Sequence, residues 1–443
     1  MALVDWNACS HVGTPMQNHR HCLRRFLCLL GASLGCAQDQ ERPLRVPRVT
    51  SSSEGRLAVP EREDSAGIAV LRHRRGAVGD APLVTVDSTV ITLSQLSVGS
   101  EQTDVSQFAP VLFFADGRIV ARDVSAHRIG VFGADGVALA FFGRRGSGPH
   151  EFRGVGGMVR DSRESLLVAD VGNARVTRVH ATQGVLRSYS LSASPMVGGH
   201  TPLGWHGGGL LVWGYVMPST RDGAGASQPG VRVVRIDTLT SKADIVFASD
   251  PTDTPLTMTD RRPLVLYWNA HFVVVDGNTR RIDWRDTTGR LVRTLRIDEP
   301  RTPIDEELWQ QIVSNRVAEV VERPALFASG QRLTPWRPGI SDTAALRRSI
   351  AAEPHGDSLP ATLAVHLTAG GTLWVVEHPI AKRDGWRALA IDFDGRIIGR
   401  IVQRDGRAPV LFGDDLLLSL SEDSDGSTRW MTQRLRWPGR ALD

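Results

Sequence analysis

Hydrophobic and polar positions repeat most clearly between Phe141 and Tyr189. A Gly-rich stretch opens the segment. Leu166 to Asp170 (LLVAD) is apolar up to its terminal acid and predicts a strand buried on both faces. Val171-Gly172-Asn173-Ala174 predicts a turn. Arg175 to His180 (RVTRVH) alternates apolar and polar, so it predicts a strand with one buried and one wet face. Thr182-Gln183-Gly184 predicts the next turn, and VLRSYSL a third strand. Strands this short, with turns every ten residues or so, predict a meander sheet in a sandwich, barrel or propeller.

The pattern recurs. Residues 111–143 hold two Asp-Gly hairpin signals, Asp116-Gly117 and Asp135-Gly136. Phe113-Phe114-Ala115-Asp116-Gly117 aligns with Met158-Val159-Arg160-Asp161-Ser162, a spacing of 45 residues. His127-Arg128-Ile129 then falls near Ala174-Arg175-Val176. Later units start near Gly204, Leu264, Leu363 and Pro409, and Asp276 to Ile282 echoes the Asn-x-Arg segment of the second. A period of about forty to fifty residues, four strands each, predicts a propeller. Six units span 82–437. The last is one strand short, and Val90 to Leu96 is expected to supply it and close the ring.

Blade two also resembles a known family. Gly146-Ser147-Gly148-Pro149-His150-Glu151-Phe152 is similar to the G-x-G-P-G-E-F linker of NHL-type repeats. Leu167-Val168-Ala169-Asp170 with Asn173-x-Arg175-Val176 resembles the family's VAD..N-x-R-I segment. His150 stands where Gly is usual, and Arg160-Asp161-Ser162 thins the usual D-x-x-G-N turn. The resemblance covers about fifty residues. It implies an all-β, six-bladed β-propeller, used most often for binding or scaffolding.

One segment breaks the β pattern. Pro303 and the acids that follow predict a helix start, and Leu308, Ile312, Val317 and Val320 an apolar stripe. A second helix is expected over Asp342 to Ala352. This short helical insertion, 300–360, lies between blades four and five. It reads either as a lid or partner-docking element or as packing over a blade edge.

The N-terminus is different again. Arg20, Arg24 and Arg25 precede an apolar run, Phe26 to Leu34, and Gly35-Cys36-Ala37 follows. That order predicts an export signal over 1–37, with translation starting at Met1 or Met16. Cys36 after Gly35 also fits lipidation, although Ser33 stands where a lipobox has Leu. Lipid-anchored and freely secreted forms are both open, and the expected location is extracytoplasmic: periplasmic, secreted or anchored. Residues 38–80, rich in Arg, Glu, Ser and Pro, read as a flexible tether.

Composition narrows the function. All four cysteines lie at or before Cys36, so no later disulfide forms. Lys occurs only at Lys242 and Lys382, and the many Arg are interleaved with 48 acids. Without a basic tract, nucleic-acid binding is not expected. No nucleophile elbow, HExxH, Walker or dinucleotide motif is present. No His pair has metal spacing, and no cofactor is expected, but His from separate blades can meet at an axis, so a central Ca or Zn stays open. Glu422 to Gly426 lacks the bidentate Glu of a calcium loop.

Arg144, Arg145, His150 and Arg153, on the loop joining two blades, are the candidate binding residues for an anionic ligand or acidic protein surface. The competing reading is exposed Arg paired with Glu151 and Asp161. The expected function is a non-catalytic, monomeric binding or scaffolding propeller. The alternative is a propeller enzyme, a metal-assisted lyase or hydrolase with its site at the central channel, which rests on fold analogy.

Overall fold

The computed structural model describes residues 57–439, leaving out 94, 99–100, 105–107, 124, 193, 195–199, 217–226, 229, 250–251, 256–262, 323–341, 378–384, 404–408 and 423–427. The export signal, Met16 and Cys36 lie outside the described residues.

Six antiparallel four-stranded units follow one another. Blade one is Phe108–Phe113, Ile119–Asp123, Arg128–Phe132 and Ala138–Phe142. Blade two is Val155–Arg160, Ser165–Asp170, Arg175–His180 and Gly184–Ser190. Blades three, four and five occupy 201–248, 264–297 and 364–403. Blade six takes Leu411–Phe412, Leu416–Glu422 and Thr428–Arg436 from the C-terminus and Thr85–Leu93 from the N-terminus. The closing strand thus starts earlier than the sequence pattern suggests. The first strand of every blade touches that of the next, and blade six touches blade one, so the ring is complete.

The core explains why the middle strands are apolar throughout. Successive side chains of a strand point to opposite faces. In blade two Leu166 and Val168 pack with Ile129, Val131 and Phe152 against blade one. Leu167 packs the other way, with Leu210 and Val212 of blade three. Each strand is therefore clamped between two neighbours, and all of Ser165–Asp170 is buried. Four further clusters occupy the remaining blade boundaries in the same way.

Blades one and two superpose at a spacing of 47, not 45. The paired Asp123–Arg128 and Asp170–Arg175 sit at the same hairpin, and His127 and Ala174 both have positive φ, 55° and 46°. The same spacing holds in the first strand pair, where Phe113 faces Ile119 and Arg160 faces Leu166, so Phe113 corresponds to Arg160 and the Phe113–Met158 alignment is two residues out of register.

The tether reading of 38–80 is corrected from residue 57 onward. Glu61–Ser65 and Ile68–His73 form a hairpin with Ala66 and Gly67 at φ 51° and 77°, the backbone a two-residue hairpin turn requires. Ile68–His73 lies parallel to Leu291–Ile297 and adds a fifth strand to blade four, with Glu61–Ser65 as a sixth. A short helix, Ala77–Asp80, follows. Ala58 and Leu83 then both pair with the outer strand of blade five. Residues 57–84 are thus a strap across blades four and five that leads into blade six. Composition concealed it because Glu61–Ser65 is exposed along its length, while Leu71, Val78, Ala81 and Val84 are buried.

The two helices form, over Glu306–Glu322 and Thr343–Ala351. Asp342 caps the second by accepting from the Ala345 N–H at 2.6 Å. Their shared core is Trp309, Val313, Val317, Leu346 and Ile350. Of the expected stripe, Leu308 and Val317 are buried and Ile312 packs against this core, with Trp309 and Val313 added to it, while the side chain of Val320 lies outside those described.

Candidate functional site

Antiparallel blades in a ring sort their loops by topology alone. Turns between first and second strands, and between third and fourth, leave on one face. Those turns never exceed five residues. Loops between second and third strands, and links from one blade to the next, leave on the opposite face. There the chain spends 94–107, 143–154, 217–229, 249–263 and 298–363. Every long connection therefore begins and ends on one face of the ring, where loops on a rigid scaffold commonly carry function.

The link 143–154 holds the four sequence candidates. Arg144, Arg145, His150 and Arg153 are all exposed. Arg144 donates to Glu151 at 2.9 Å. The Gly148 N–H also donates to Glu151, at 2.8 Å, and these contacts hold the Glu151 carboxyl below its usual range. Phe152 is fully buried between blades one and two and anchors the link. Asp161 pairs instead with Arg178 and with Trp205. The four side chains lie on one exposed link.

What holds that link is a repeated acid–Arg pair. Asp170 is fully buried and takes four donors: the N–H groups of Arg153 and Gly154, Asn173 Nδ2 and Arg175 Nε. Arg175 then donates through Nη2 to the carbonyls of Gly148 and Glu151. The NHL-like Asp, Asn and Arg thus tie the loop of blade two to the link before it. Asp123 of blade one does similar work. Burial pushes its carboxyl up, but donors from Ala126, Ser125 and Arg128 prevail and hold it below the usual range.

Blade five departs from this scheme. Its acid is Glu377, buried at the end of Leu373–Glu377. Arg387, its cross-strand partner, donates to Oε2. The second partner is a guanidinium from blade four: Arg280 Nε donates to Oε1 at 2.6 Å. Arg280 Nη1 donates to the carbonyls of Glu299 and Pro300. Beside these groups a cavity of about 160 Å³ opens, lined also by Arg301, Thr302, Pro360 and Ala361. It sits where the helical insertion leaves and rejoins the ring, because Thr302 and Leu359, and Ile304 and Asp357, are joined by hydrogen bonds. The sequence search missed these residues, which lie 97 and 10 positions apart. The available signal was the acid at the end of the second strand, repeated at Asp123, Asp170 and Glu377.

Near the axis lies His366, on the first strand of blade five opposite Trp374. Its Nε2 is buried without a partner, and burial lowers its pKa to about 4. The unfolded imidazole takes its proton near 6.5, while the folded one stays neutral until about pH 4. The unfolded state therefore binds more protons between these values, and stability falls as pH falls through that window. The loss is about 3 kcal/mol. Urea unfolding of wild type and His366→Leu between pH 4.5 and 7.5 checks it: the variant's curve should be flatter, and parallel curves would remove the assignment. Among the described residues no three His, Cys, Asp or Glu side chains converge to hold a metal. No described helix is long and apolar enough to cross a membrane.

No family model matches the chain, and no curated protein matches it. The NHL resemblance is thus carried by the blade-two residues themselves. Among solved structures, a Bacteroides fragilis protein inferred to be exported is similar at 12% identity, TM-score 0.45, covering 83% of this chain and 99% of that one. A member of the DUF4221 family from Bacteroides vulgatus gives 10% identity and 0.47, over 80% and 98%. The virginiamycin B lyase of Staphylococcus aureus gives 11% and 0.34, over 82% and 97%. At these values the likenesses carry no functional argument, and the propeller rests on the chain's own six sheets.

Proposed function

We propose that this chain is a non-catalytic, extracytoplasmic binding propeller of NHL-like build that engages its ligand or protein partner through the face bearing the long connections. The observation that carries the reading is the asymmetry between the faces: tight turns on one, all the long loops and the helical insertion on the other. A rigid ring that varies its loops on one side only suits presentation of a recognition surface. The export reading draws its support from the basic, apolar and small-residue order of residues 20–37.

The insertion gives a clean test, because its stems already meet: Pro303 and Ser358 are bridged. Replacing 304–357 with a short Gly-Ser link should leave thermal unfolding of the ring within a few degrees. The immobilised full chain should retain a partner from the extracytoplasmic fraction that the excised chain loses. A control variant altered in the opposite-face turns should keep it. Equal retention by all three would overturn the reading.

A further inference from the structure

We infer that the cavity between blades four and five is a binding site for one small organic oxyanion, a carboxylate or a phosphate monoester. The inference rests on the binding reading above and gives it a specific pocket.

Blades two and five make the same hairpin differently. In blade two the buried acid is completed by two neutral backbone N–H groups of the preceding link. In blade five the link is the helical insertion, and the acid is completed by Arg280 from the neighbouring blade. A neutral donor pair has been exchanged for a cation beside an existing one. The cavity wall carries three guanidinium groups, Arg280, Arg301 and Arg387, against two carboxylates, Glu299 and Glu377. The Glu299 carboxylate is already engaged by the Gly76 N–H of the strap, at 2.8 Å. A structural lock alone needs one cation for one acid, and the hairpins of blades one and two use one Arg each.

The donors are also left over in a useful form. Arg387 uses Nε on Glu377, and among the described residues its Nη1 and Nη2 donate to nothing. Arg280 uses Nε and Nη1, leaving Nη2. Arg301 spends Nη1 on the Asn278 carbonyl, at 3.3 Å. A guanidinium held by one edge presents its remaining N–H groups in a fixed fork, the geometry that planar oxyanions accept. Glu377 fixes the forks of Arg280 and Arg387 in place, so little ordering is left for the ligand to bring about. The cavity, about 160 Å³, is well below drug-sized pockets. It fits an anion of a few non-hydrogen atoms, or the charged end of a longer ligand.

The test is calorimetry on the full chain at constant ionic strength, with succinate, citrate, phosphate and glycerol 3-phosphate as probes and sodium chloride as control. At least one probe is expected to saturate at one per chain with Kd below about 1 mM. The carboxylate and phosphate arms show which oxyanion the site prefers. Arg387→Lys keeps the charge and the pairing with Glu377 but loses the fork, and should weaken binding ~tenfold or more. Arg301→Gln, at an exposed position, should weaken it several-fold with unchanged melting. No saturating probe, or the same Kd in both variants, would overturn the site. The two readings separate cleanly. Partner loss on excision without anion binding sinks the pocket and keeps the binding face; anion binding with partner retained after excision does the reverse.

Discussion

A chain shortened to begin at Thr85 is expected to lose on the order of 5 kcal/mol or more of stability, while one beginning at Leu57 melts like the whole protein. The shorter chain lacks Leu71, Val78, Ala81 and Val84, all buried. Burial of a Leu or Val side chain is worth about 1.5–3 kcal/mol each. It also uncovers Leu295, Ile391 and Ile397, which the strap covers. The bond from His73 Nε2 to the Gly395 carbonyl goes, and so does the pairing along Leu291–Ile297. Against a total of 5–15 kcal/mol, that is a large share. Thermal unfolding of the two truncations decides it. A drop of about 10 °C or more between them is expected. Melting within 2 °C of each other would mean that the strap does not support the ring.

The second large effect is expected at Asp170. Its two oxygens accept at 2.9 and 3.1 Å from backbone N–H groups and at 2.7 and 3.0 Å from Asn173 and Arg175. Asp170→Ala strands all four donors around a fully buried position, and leaves Arg175, mostly buried, without its counter-charge. Breaking such a buried pair costs about 3–5 kcal/mol. Asp170→Asn keeps the shape and part of the bonding, so it should cost less. Asp123→Ala should also cost less, since Arg128 is more exposed than Arg175. Urea unfolding of the three variants gives the order. A cost below 1 kcal/mol for Asp170→Ala would show that the acid–Arg hairpin does not hold the link.

The blades could be read from the chain wherever one strand shows its whole pattern locally. LLVAD is apolar up to Asp170 because both its faces meet neighbouring blades, and such units recurring along the chain implied a ring. The closing strand was legible because blade six lacked a partner. The strap was not, because its hairpin sends one strand wholly into solvent and buries alternate residues of the other against a strand more than two hundred positions away. The candidate site divides the same way. Arg144, Arg145, His150 and Arg153 stood out because they are close in sequence, and all four are exposed on the link between blades one and two. Arg280, Glu377 and Arg387 are brought together only by two blades meeting. Each reads alone as an ordinary charged residue beside a turn.

The closing strand has a consequence for how the chain is made. Thr85–Leu93 pairs with Thr428–Arg436, so the first blade segment synthesised waits for the last. Until residue 436 has left the ribosome, the protein is an open arc with an unpaired strand at each end. Unpaired strand edges invite pairing with other chains. The polar, exposed Glu61–Ser65 shields the outer edge of blade four, but among the described residues no equivalent strand lies beyond Thr85–Leu93. The interval between emergence and closure is therefore when this protein most needs a holding chaperone.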